Sequence, residues 1–66
     1  MIDRAFPLLR FRCQLKYITP SGLAAGVVYH VAAIAADLAM EDAEIILRED
    51  RRRRVARVTH RSAVQC

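Results

Sequence analysis

The chain has 66 residues, two cysteines, no tryptophan and a formal net charge of +4, with eleven basic side chains against seven acidic ones. That length makes one small domain, read as residues 1–66, whose modest core leaves a homodimer or a complex partner as the expected support. Two cysteines close at most one bridge, and no Cys/His spacing resembles a zinc site.

Met1–Leu9 is an ambiguous lead-in in which Pro7 suits a strand entrance better than a helix. A strand follows at about 10–18. Phe11, Cys13, Leu15 and Tyr17 alternate with Arg12, Gln14 and Lys16, which gives one buried and one wet face. Cys13 on the apolar side reads as a small buried residue and Cys66 as a free thiol in a frayed tail. Both suit a reducing, cytoplasmic setting.

Thr19-Pro20-Ser21-Gly22 is a turn by its chemistry. Proline pre-sets the second turn position, and glycine takes the left-handed position that closes a three-residue hairpin loop. With Thr19 facing Leu23, the register follows by counting. Tyr17 faces Ala25, Leu15 faces Val27, Cys13 faces Tyr29 and Phe11 faces Val31. Residues 23–31 therefore read as a second strand. A helix starting at Thr19 or Ser21 is the alternative. Gly22, Gly26 and the β-prone run Val27–Val31 weigh against it. The uncharged stretch Gly22–Ala36 is too short and too rich in small residues for a membrane span.

Residues 32–50 read as a helix. Asp37, Glu41, Glu44 and Arg48 form a polar stripe, and an apolar arc wider than one small sheet needs surrounds it. Ile34, Leu38 and Ile45 are the expected core contacts. Met40 and Leu47, on the opposite side, are then left for a second copy or a partner. With Asp37, Glu41 and Glu44 they make a candidate partner-binding surface.

Arg51, Arg52, Arg53 and Arg54 follow the helix end, and Arg57 and Arg61 extend the basic run without an acid between them. Guanidinium groups at this density suit phosphate contacts, so these six are the candidate nucleic-acid-binding residues. A solvated turn that neutralises the acidic helix is the plainer reading. A third strand at about 54–61 places Ala56 and Val58 inward and Arg57, Thr59 and Arg61 outward, leaving 62–66 as the tail. Continued helix through Val58 is the alternative.

The fold class expected is α+β: a ββαβ domain with a three-stranded antiparallel or mixed sheet in the order 2-1-3. One helix covers one face. The open face would present Arg12, Lys16, His30, Arg57 and Arg61 and no stacking aromatic, which disfavours sequence-specific reading of single strands. His30 and His60 sit without a nucleophile-and-orienter arrangement, and Gly22 and Gly26 make no phosphate loop. No enzyme, cofactor or metal is expected. The function expected is a protein–protein interaction module, such as a small inhibitor or accessory subunit of nucleic-acid-processing machinery, of the kind phages and mobile elements use. Direct, weakly specific nucleic-acid binding through Arg51–Arg54 is the alternative.

Overall fold

The computed structural model describes residues 7–66. Four elements follow one another: β1 (Leu9–Ile18), β2 (Ala24–Ala33), α1 (Ala36–Glu49) and β3 (Arg57–Gln65). The strands form one antiparallel sheet in the order β2-β1-β3. This is the expected α+β arrangement, and the turn chemistry explains its first half. The Gly22 amide donates to the Thr19 carbonyl at 2.8 Å, Gly22 takes φ +89°, and the Thr19 amide donates to the Leu23 carbonyl at 2.9 Å. Thr19 Oγ1 also accepts from the Leu23 amide at 3.0 Å. The closed loop fixes the register, so Tyr17 pairs with Ala25, Leu15 with Val27, Cys13 with Tyr29 and Phe11 with Val31.

The alternation of β1 then builds the core. Phe11, Cys13, Leu15 and Tyr17 are buried under the helix, with Val31 and Ala33 of β2 beside them. From above, α1 adds Ala39, Ala43 and Leu47, each fully buried. Leu15 and Leu47 are the largest side chains wholly removed from water. Each contributes about 1.5–3 kcal/mol of apolar burial. No helix among the described residues is long and apolar enough to cross a membrane.

Several expectations are corrected. The helix begins at Ala36 rather than residue 32, because β2 keeps pairing with β1 as far as Ala33 opposite Leu9. The strand expected at 54–61 lies at Arg57–Gln65. Residues 62–65 are therefore strand instead of a frayed tail, and the Cys66 amide still donates to the Arg10 carbonyl at 2.9 Å. Ala56, expected inward, lies exposed before the strand.

A further correction concerns Arg61. Lys16 pairs with His60 and Tyr17 with Val58, so Thr59 is an extra residue in a bulge. An inserted residue reverses the facing of everything beyond it. Arg61 therefore pairs with Leu15 on the helix side, while His60, Ser62 and Val64 share the open face with Lys16, Gln14 and Arg12. The expected lead-in at Met1–Leu9 lies mostly outside the described residues.

Candidate partner surfaces

Small residues set how α1 sits. Ala39 and Ala43 let the helix axis approach the sheet, and Leu47 joins them in the same buried cluster as Leu15. Large apolar residues consequently point away. Leu38 is 38% exposed, Ile45 53% and Ile46 43%, and Ile34, just before the helix, is also exposed. Leu38 and Ile45 are seven residues apart and lie about 20° from each other around the axis, forming one outward ridge. Asp37, Glu41, Asp42 and Glu49 rim it, all exposed.

The residues expected to carry partner binding are thus only partly where the sequence put them. Asp37 and Glu41 are exposed, Met40 is half-buried and Leu47 is fully buried. Leu47 is a core residue because it follows Ala39 and Ala43 along the inward face, so the helix is rotated relative to the expected setting. The ridge residues Leu38, Ile45 and Ile46 take its place. A size comparison between alanines and branched residues along the helix carried that signal, because close approach needs the small side chains inward. Glu44 is half-buried at the flank. It accepts from Arg48 Nη2 at 3.1 Å and from Arg61 Nη1 at 3.0 Å, which leaves it no free role in a contact.

The open face of the sheet is the opposite surface. Arg10, Arg12 and Lys16 of β1, His30 of β2, and Arg57 and His60 of β3 all lie on it exposed. Among the described residues no Asp or Glu side chain shares this face. Ile18, Val28 and Val64 interleave the cations, and no aromatic ring does. Arg57 stands where the sequence placed it; Arg61 belongs to the other side.

The arginine turn is partly a structural element. The Asp50 carboxylate accepts from the Arg52 amide at 3.0 Å and lies 3.4 Å from Arg53 Nε. Arg53 also reaches the Tyr17 hydroxyl at 3.4 Å, which lifts its pKa. Arg51, Arg52 and Arg54 are exposed. The turn is therefore held by Asp50 and Tyr17 while three of its guanidinium groups face water.

Burial raises the pKa of the Cys13 thiol, with smaller contributions from Cys66 and Asp42. Burial also raises that of the Tyr29 hydroxyl, helped by Asp50 and opposed by Arg53, and this hydroxyl has no hydrogen-bond partner among the described residues. No cluster of His, Cys, Asp or Glu suited to a metal ion occurs among the described residues. Neither a family model, nor a curated protein, nor a solved structure matches this chain.

Proposed function

We propose that this chain is a non-catalytic binding module whose helix docks a protein with a basic surface. One observation carries the reading: α1 turns Ala39, Ala43 and Leu47 to the sheet and Leu38, Ile45 and Ile46 to water, inside an acidic rim. Exposed apolar residues grouped on one element, with charge around them, have the anatomy of an interface core and its polar edge. The carboxylates select a basic partner and accelerate encounter, and the ridge supplies the desolvated area. A nucleic-acid-processing enzyme is a partner of the required charge, and the module then acts as its inhibitor or accessory subunit.

Affinity capture with and without nuclease tests this. The principal protein partner is expected to survive nuclease and to be lost with Leu38→Asp and Ile45→Asp. Glu41→Lys with Asp42→Lys is expected to slow association most at low salt. Loss of every partner on nuclease treatment would reject the reading.

A second reading has its own observation. Arg10, Arg12, Lys16 and Arg57 share the open sheet face with no acid among the described residues, and Arg51, Arg52 and Arg54 stand exposed on the turn that leads to β3. That surface suits the phosphates of a nucleic acid, with contacts that position the molecule without reading bases.

A further inference from the structure

The two edges of the sheet are unlike. β3 carries the bulge at Thr59 and the charged residues Arg57 and Arg61, devices that blunt an edge against pairing. β2 has neither. Its ten residues pair with β1 without a register shift, and Ala24–Ala33 contains no charged residue and no proline. Among the described residues nothing pairs with its outer side.

The hydrogen-bond pattern says which groups are free there. Thr19 and Leu23 are a bonded pair across the hairpin, and bonded pairs alternate along an antiparallel ladder. Even-numbered residues of β1 accordingly bond toward β3, as the Ile18 and Arg10 carbonyls do with the Ala56 and Cys66 amides. The same alternation aims the N–H and C=O groups of Ala24, Gly26, Val28, His30 and Ala32 away from β1.

We infer that β2 is the edge at which a second copy of this chain adds, antiparallel, to make one continuous six-stranded sheet. The free groups allow a two-fold centred on Val28. Val28 then faces Val28 of the second copy, Gly26 faces its His30, and Ala24 faces its Ala32. The pairing sets the smallest residue against the largest and brings no like charges together, although each chain carries +4 overall. A two-fold perpendicular to the sheet keeps both helices on one side. Their nearer flanks carry Ile46, which lies about 160° around the axis from Glu44, the residue that faces β3.

With strands about 4.8 Å apart, the two copies of β1 stand about 14 Å from each other. Packed helices stand about 8–10 Å apart, so the backbone ladder holds the pair and the helices only shelter it. Buried area is then on the order of 1,000 Å², the lower limit for specific association, and a micromolar dimer is expected. Assembly stops at two because both remaining edges are β3. This surface is separate from the ridge of Leu38 and Ile45, which stays free to bind.

Sedimentation equilibrium and amide exchange at several concentrations test the inference. The unaltered chain is expected to dimerise, with the amides of Gly26, Val28 and His30 gaining protection as concentration rises. Val28 lies on the open face, so charge there spares the core. Val28→Lys and Val28→Glu are each expected to be folded by circular dichroism and monomeric, with association weakened about 100-fold, since like charges meet at the two-fold. An equimolar mixture of the two variants is expected to associate again. A monomeric unaltered chain, single variants that remain dimeric, or a mixture that stays monomeric would each overturn the proposal. None of these outcomes bears on capture of a basic protein by the helix.

Discussion

Cys13 is fully buried between the sheet and α1, whereas Cys66 is exposed. A thiol reagent is expected to modify one cysteine in the folded chain and both in denaturant, with the modified site identified by peptide mass. Two rapidly reacting thiols in the native state would contradict the packing. The same burial sets a pH dependence. The folded state holds the Cys13 proton above the ordinary value of 9.0, so the unfolded chain loses that proton first as pH rises. Stability is then fully present below pH 9.0 and falls through the alkaline range until the folded thiol ionises. Tyr29 adds the same sign from its ordinary value of 10.0 upward. Urea midpoints taken across this range are expected to decline, and Cys13→Ala is expected to remove the earlier part of the decline. A midpoint that is flat through the alkaline range would mean neither group is buried in the fold.

At the scale of one element, α1 holds Leu47 inside and Leu38, Ile45 and Ile46 outside, and mutation can read that directly. Leu47→Ala is expected to destabilise by about 2–5 kcal/mol, as a large-to-small change in a closed core. Ala43→Leu is expected to cost about 1–3 kcal/mol by overpacking. Ile45→Ser is expected to stay within about 0.5 kcal/mol, as a surface change. A larger loss at Ile45 than at Leu47 in denaturant titrations would show the helix to be turned the other way. Apolar periodicity alone could not set that rotation. Its apolar arc ran from Leu38 through Leu47, and periodicity weighs alanine and isoleucine alike although only alanine permits close approach. The hairpin register was readable to the residue, because Pro20 and Gly22 suit a three-residue loop and strict alternation in β1 admits one facing, although β2 ran on to Ala33 where a helix was expected. The end of β3 was not readable, because a single extra residue at Thr59 reverses parity and leaves no mark in composition. That reversal is also why Arg61 was assigned to the open face and Glu44 to a free one.

The whole molecule has charge of opposite sign on its two layers: carboxylates over the outer helix, and Arg10, Arg12, Lys16 and Arg57 on the open sheet. If the sheet engages phosphates, affinity for DNA or RNA of unrelated sequence falls linearly with log salt, and each of Arg12→Gln and Arg57→Gln lowers the slope by about one. Arg61→Gln is expected to leave that slope unchanged, since Arg61 is occupied by Glu44. Salt titrations in which Arg61 matters as much as Arg12 would reject the open face as the binding surface. The strand order has a consequence in time as well. β1 lies at the centre of the sheet but is made first, and only its β2 side can be closed by the next segment to appear. The hairpin can close once Ala33 has emerged from the ribosome, while the other side of β1 waits for residues 57–65 to follow. At about 5–20 residues per second, that is a delay of about 1–6 s during which the central strand is itself an open edge. The hairpin, whose β2 strand carries no charge, is therefore most exposed to mispairing before β3 joins it, and β3, with its arginines and its bulge, is the strand that ends the exposure of β1.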